Sequence, residues 1–263
     1  MTRVLTAAAI IAALLVVLYL PPIAFALVTC TVLLLGWREF KALCQELSVG
    51  IVAVPGALIA IAVAASFAAG PEMAVIALLI GIPLLALMTL RNHFGDPVGL
   101  SLAGAAGMAG IAWLALPLGA QIGIRYEPDG AGWLLFLYAA VAVGDSAAFY
   151  GGTKFGSHRL APALSPKKSV EGSLFGISGS AIAGAIAAHW FSGMSYAEGA
   201  LVAAVLGIVG QAGDLIESAL KRAAGQKDSS GLLPGHGGIL DRIDAHLPAG
   251  ALLYAALRAG WLG

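Results

Sequence analysis

Apolar segments follow one another along this chain near 4–20, 21–36, 49–69, 72–90, 99–122, 132–152, 171–192, 197–220 and 249–262. Each is as long, or nearly as long, as a helix needs to cross about 30 Å of hydrocarbon. Inside a bilayer no water meets the backbone N–H and C=O groups, so such a segment must close its hydrogen bonds internally as a helix. Composition points the same way, with 60% hydrophobic and 11% charged residues, well outside the soluble range. The expected fold is an all-α integral membrane protein, a polytopic bundle of about nine transmembrane helices with a polar site at the cytoplasmic face. It reads as a single membrane domain over 1–263, with N-terminal helices over 1–122 and a C-terminal catalytic half over 132–263. Pro21-Pro22 breaks the first long apolar run as a hairpin turn or a kink. The run continues past the prolines, so the first segment is expected to stay as an anchor rather than leave as a signal peptide.

Basic residues orient the bundle. With nine spans and an inside N-terminus, twelve of the 14 fall on one side and only Arg125 and Arg258 on the other. That asymmetry is the positive-inside pattern and supports both the count and the orientation, and the expected location is a bacterial inner (cytoplasmic) membrane with the active site facing the cytoplasm. The two longest polar loops, about 153–170 and 221–248, then share the cytoplasmic face. Trp37, Trp133, Trp190 and Trp261 near segment ends read as interfacial anchors. Gly104, Gly107 and Gly110, and Gly172, Gly176 and Gly179, have the spacing of close helix packing. Cys30 and Cys44 form no metal pattern.

The chemistry gathers between Ser218 and Asp244. Asp241 and Asp244 lie one helical turn apart and offer the hard oxygens that Mg2+ takes alongside substrate phosphates. Lys221, Arg222, Lys227, Arg242 and His236 suit phosphate oxygens. The glycine-rich turn through Gly237 and Gly238 offers bare backbone N–H groups to an anion. Asp214, Ser218 and Lys221 recur at i, i+4 and i+7 and so form one stripe of a helix, which needs partners or water at membrane depth. The earlier loop adds Lys167 and Lys168 just before Ser169, a helix-capping residue, and Asp145 lies within the preceding apolar segment. Paired lysines there suit a polyphosphate, or serve only to orient the helix.

These residues carry a family resemblance. The pattern Ser-x-x-Lys-Arg-x4-Lys-Asp-x-Ser-x2-Leu-Pro-x-His-Gly-Gly-Ile-x-Asp-Arg-Ile-Asp over Ser218 to Asp244 resembles the signature of phosphatidate cytidylyltransferases, the CDP-diacylglycerol synthases. Leu164 to Gly172 is similar to a second stretch of that family. The chain departs from the pattern at Phe149, where an aromatic hydroxyl is expected, and at Thr153, which displaces a basic residue to Lys154. The resemblance implies that a phosphatidate oxygen attacks the α-phosphate of CTP, giving CDP-diacylglycerol and pyrophosphate with Mg2+ as cofactor. On that reading Asp214, Asp241 and Asp244 bind metal, and Lys168, Lys221 and Arg222 hold substrate phosphates. Ser218 makes a polar contact, and His236 donates to the leaving pyrophosphate. Lys167, Lys227, Gly237, Gly238 and Arg242 complete the substrate site. The implied partners are CTP, phosphatidic acid, the lipid bilayer and a second copy of the chain, with no nucleic acid. Alternatives are a CTP-dependent polyprenol or lipid kinase, a CDP-alcohol phosphotransferase, and a transporter whose intramembrane acids couple to ions; the last should place its acids near the midplane.

Overall fold

The structure, a computed structural model, describes residues 12–191, 194–233, 235 and 237–262. They are mostly helical and fall into two compact units. One comprises the chain through Tyr126 together with Leu220–Arg242; the other comprises Glu127–Ala219 and the chain from Ile243.

In the first unit a helical segment over 12–19 (α1) is followed by α2 (Pro22–Glu46), α3 (Ala53–Ser66), α4 (Pro71–Asn92), α5 (Pro97–Gly110) and α6 (Leu116–Tyr126). The helices α2, α4 and α5 each open on a proline, where the missing N–H is an orphan in any case and φ is already helical. Asp96 caps α5 by accepting the Gly99 N–H at 3.0 Å. Pro21-Pro22 separates α1 from α2, and Arg125 Nη2 donates to the Leu20 carbonyl left at the break, at 2.8 Å. Pro117 cannot supply an amide to the helix, and the chain passes it through a π turn, Ile111–Ala115, between α5 and α6.

In the second unit α7 (Gly130–Phe155) leads through a two-stranded antiparallel hairpin, β1 (Arg159–Ala161) and β2 (Ser165–Ser169), into α8 (Val170–Phe191). The helix α9 (Tyr196–Ala223) follows. The end of α9, the polar loop and most of the single turn α10 (Leu240–Ile243) belong to the first unit, and α11 (His246–Arg258) to the second. Small residues let α7 and α8 approach closely. A Cβ on Gly144 would lie 2.1 Å from Ser180 Oγ, and one on Gly151 would lie 2.4 Å from the Phe175 ring. The Ser180 hydroxyl donates to the Ala140 carbonyl across the pair at 2.9 Å. Gly172, Gly176 and Gly179 all lie on this seam, as their spacing predicts.

The chain is an integral membrane protein. Among the described residues six helices are long and apolar enough to cross a bilayer: Pro22–Glu46, Pro71–Asn92, Pro97–Tyr126, Gly130–Phe155, Val170–His189 and Tyr196–Ala223. The expected segment at 49–69 is a shorter apolar helix, Ala53–Ala69, and that at 249–262 is α11, of 13 residues. The expected first span lies partly outside the described residues.

Two of the expected interfacial tryptophans are interior: Trp37 is 3% exposed and Trp133 5%. Position near a segment end is shared by anchors and by core residues, and here packing decides. Trp37 Nε1 donates to the Ala53 carbonyl at 3.1 Å, tying α2 to α3, and its ring occupies the space beside Gly56 and Gly110.

The glycines divide into those that neighbours crowd and those that nothing touches. Gly144→Val should destabilise the protein by about 1–3 kcal/mol through overpacking. Gly104→Ala, where an added Cβ meets nothing within 4 Å, should leave stability unchanged. Unfolding of the detergent-solubilised variants measures both.

Candidate active site

Each unit presents one polar cluster. In the first unit the chain leaves α9 at Ala223, turns through Gly225 at φ +68°, and among its described residues has no helix or strand before α10. Such a segment has no ladder for its backbone groups, so side chains must satisfy them. Two carboxylates do so. Asp241 Oδ2 accepts the Ser229 N–H at 2.8 Å, the Gly238 N–H at 2.8 Å and the Ser229 hydroxyl at 2.9 Å. Its Oδ1 takes the Lys221 ammonium in an ion pair. Both side chains are withdrawn from water, Lys221 to 9% exposure and Asp241 to 6%.

The second carboxylate is Glu39, from α2. Its Oε1 accepts the Ser230 hydroxyl at 2.6 Å and the Ile239 N–H at 3.0 Å. Its Oε2 accepts the Leu240 N–H at 2.9 Å and lies 2.9 Å from the Ser229 hydroxyl. That hydroxyl has one proton and stands between two carboxylates, so it serves one of them at a time.

Glycine is required inside this knot. Gly237 has φ +78°, and a Cβ there would fall 2.5 Å from Asp241 Oδ2; one on Gly238 would fall 2.1 Å from Ser229 Oγ. The anion bound by the Gly238 N–H is therefore the chain's own Asp241 carboxylate. Outside the knot, α2 and the turn at 229–232 border a cleft of about 330 Å³ whose walls include Arg38, Glu39 and Ser230. Arg222 turns back to the Gln226 carbonyl at 2.9 Å, and Lys227 and Arg242 are exposed. His236 lies outside the described residues.

In the second unit, Lys168 Nζ at the end of β2 meets Asp214 Oδ2 of α9 at 2.6 Å. The Ser218 hydroxyl reaches Asp214 Oδ1 one helical turn on, at 3.3 Å. Lys168 is placed by two local devices. Ser169 caps α8 by accepting the Gly172 N–H at 3.1 Å. Glu171 in the first turn of α8 accepts the backbone N–H of Ser157 at 3.0 Å and of His158 at 3.2 Å, together with His158 Nδ1 at 2.6 Å, which anchors the hairpin's near end. Deeper along α8 and α9, Ser173 and Gln211 exchange hydrogen bonds, satisfying both side chains at membrane depth. Lys167 is exposed beside Lys168. Asp244 follows α10, its Oδ1 accepting the Ala245 N–H at 2.8 Å. Asp145 lies on an exposed part of α7.

The structure thus joins Lys168 to Asp214 and Lys221 to Asp241, pairs no spacing rule forecasts. It also adds Glu39, which no sequence motif singles out. The signal was present: Gly36, Phe40 and Leu43 are buried on α2 at helical spacing, and Glu39 falls on that same apolar face.

Asp241 carries a pH dependence. Burial alone pushes its carboxyl up, but the Lys221 ammonium and the N–H groups of Gly238 and Ser229 together outweigh that and hold it below the usual range. A lowered folded value means that the carboxylate's stabilisation is present above the unfolded value, about 4, and is lost as pH falls through the folded one. Asp241→Asn should therefore melt below wild type at pH 7, and the gap should close as pH falls below about 4. Thermal unfolding from pH 7 to 3 checks this; a gap independent of pH would contradict it.

Comparison with known proteins identifies the chain's relatives. A model of the cytidylyltransferase family matches residues 1–259. A phosphatidate cytidylyltransferase of Synechocystis sp. is 44% identical over 129 residues, 48% of this chain and 43% of that protein. One from Brucella suis is 42% identical over 128 residues, 49% of this chain and 47% of the relative. One from Mycobacterium leprae is 39% identical over 150 residues, 56% and 47% respectively. The chain spans about half the length of the curated relatives it matches. With the family model running nearly end to end, and the signature over Ser218 to Asp244 agreeing with it, the chain belongs to the cytidylyltransferase family.

Proposed function

We propose that this protein transfers the cytidylyl group of CTP to phosphatidate, giving CDP-diacylglycerol and pyrophosphate. The observation that carries the reading is the Lys221–Asp241 pair, withdrawn from water and fixed by the signature loop itself. A phosphatidate phosphate oxygen attacks the α-phosphorus of CTP, the bond to the β-phosphate bridging oxygen breaks, and pyrophosphate leaves with the electron pair. Such a reaction needs no side-chain nucleophile; it needs reactants in line and charge neutralised on the transferring and leaving groups. Lysine and arginine do this at fixed positions. Lys221 and Lys168 are held by acidic partners at the ends of ordered elements, so each presents an oriented ammonium to a phosphate. The exposed Arg222, Lys227, Lys167 and Arg242 raise the local concentration of an anionic nucleotide, and His236 is assigned to the leaving pyrophosphate.

Mg2+ is the cofactor of this reading, with Asp214, Asp241 and Asp244 as candidate ligands. The donor chemistry fits: all are hard carboxylate oxygens, and on Asp241 three donors fill Oδ2 while Oδ1 has capacity beside Lys221. Among the described residues no three acidic, histidine or cysteine side chains converge as a ready-made cage. A sparse protein set suits Mg2+, which keeps waters and takes substrate phosphates, and whose contribution would be to neutralise the triphosphate. For location we retain the nine-span reading with the polar loops at the cytoplasmic face of a bacterial inner membrane, and a homodimer as the working assembly. The basic-residue asymmetry supports the orientation.

Purified protein given α-labelled CTP and phosphatidate in mixed micelles should form labelled lipid and unlabelled pyrophosphate. Chelation should stop the reaction and Mg2+ restore it. Asp241→Asn and Lys221→Ala should each lower turnover tenfold or more, as for a charge-assisted hydrogen bond worth about 1.5–3 kcal/mol. Transfer of the γ-phosphate to a lipid alcohol, or no product, would overturn the reading. For orientation, a single cysteine replacing the exposed Lys227, in a chain lacking Cys30 and Cys44, should react with an impermeant thiol reagent only from the cytoplasmic side. Labelling of intact cells from outside would reverse it.

A further inference from the structure

We infer that Glu39 is a positioning residue for the cytidylyl-transfer site: it clamps the two ends of the 229–240 loop so that Asp241 turns Oδ1, and with it the Lys221 ammonium, toward the triphosphate. Glu39 lies on α2, outside every stretch that carries the family signature, and is 5% exposed. A carboxylate buried to that extent must have its oxygens met by donors. Its donors come in two pairs from the same loop: Ser229 and Ser230 at the outgoing end, and the backbone of Ile239 and Leu240 at the returning end. Between those ends the chain makes one isolated bridge, Leu233 to Gly237, and passes through positive φ at Gly235 and Gly237. Glycine-rich backbone of this kind does not hold one conformation by itself.

The clamp reaches Asp241 through shared groups. Ser229 also supplies its N–H to Asp241 Oδ2, and its one hydroxyl proton goes to Glu39 or to Asp241 in turn. Gly238, which supplies the third donor, immediately precedes the two amides that Glu39 holds. Oδ2 is thereby filled and the carboxylate's rotation fixed, leaving Oδ1 to Lys221 and to an incoming cation or phosphate. Without Glu39 the amides of Ile239 and Leu240 and the Ser230 hydroxyl lose their acceptor, the glycine turn is released, and the Ser229 and Gly238 N–H groups that orient Asp241 are no longer fixed in place. A glutamine cannot substitute. It keeps the size, but its NH2 replaces an oxygen that accepts a backbone N–H, and that N–H is left without an acceptor.

The inference rests on the cytidylyl-transfer reading for its kinetic test and on the structure alone for its second test. In Glu39→Gln, the amides of Ile239 and Leu240 should exchange hydrogen at least tenfold faster while those of α4 and α6 keep wild-type rates. The KM for CTP should rise at least tenfold with the KM for phosphatidate unchanged, a split that a mere loss of folded enzyme does not produce. Ser230→Ala removes one of the four donors and should give smaller changes in the same direction; it decides the matter should Glu39→Gln fail to fold. Unchanged loop exchange, equal acceleration in all helices, or a loosened loop with an unchanged KM for CTP would each overturn the inference. A wild-type chain that forms no CDP-lipid would sink the proposed activity instead, and the loop's exchange would then judge Glu39 by itself.

Discussion

A carboxylate taken out of water keeps its charge only where donors replace the water it has lost, and the first unit is organised by that requirement. Glu39 and Asp241 together accept from both ends of a loop that has almost no regular structure. Remove the carboxylates and the loop's amides have nowhere to donate; remove the loop and Glu39 loses its donors while Asp241 keeps only Lys221. Neither half is stable without the other, so a glycine-rich segment that would otherwise sample many conformations is held in one. The lysine at the end of α9 is held in place by this arrangement, since its partner Asp241 is oriented before any substrate arrives.

The second unit solves the same problem by other means. Here the tertiary fit of α7 against α8 comes from absent side chains, the glycines that let backbones approach, with Ser180 closing a polar group inside the seam and the Ser173–Gln211 pair doing so between α8 and α9. At the polar end of α8 the requirement passes to ordinary capping chemistry. Ser169 and Glu171 satisfy the first amides and fix the hairpin, and Lys168 takes its place at Asp214 as a consequence. A short sheet inside an otherwise helical membrane protein is intelligible on these terms: the hairpin occupies the polar loop, where water or side chains can meet its edges.

How far the sequence disclosed this depends on whether the signal was local. Long apolar segments announce themselves, because length and composition alone decide whether a helix can cross a bilayer, and the helices from Pro71 to Ala223 lie close to where hydropathy put them. The cap at Ser169 and the glycine seam were likewise readable from spacing. The ion pairs were not. Spacing put Asp214, Ser218 and Lys221 on one stripe, but that Lys221 turns to Asp241 depends on a loop path that no periodicity encodes. The hairpin at 159–169 was hidden because Ser-Pro-Lys-Lys-Ser has no apolar alternation. Trp37 and Trp133 were misplaced because an indole near a segment end satisfies two opposite rules. Glu39 was missed because its partners lie at the far end of the chain, beyond any local window.

That separation has a consequence for how the protein is made. Ser229 follows Glu39 by 190 residues. At about 5–20 residues per second, a ribosome takes roughly 10–40 s to supply the acceptor with its donors. Throughout that interval the loop donors that meet Glu39 in the finished fold do not yet exist. The clamp of Glu39 on this loop can therefore close only after Leu240 has been made. A chain released before Leu240 would lack a donor that holds Glu39, and the order of synthesis thereby makes the loop the last part of this unit to be fixed.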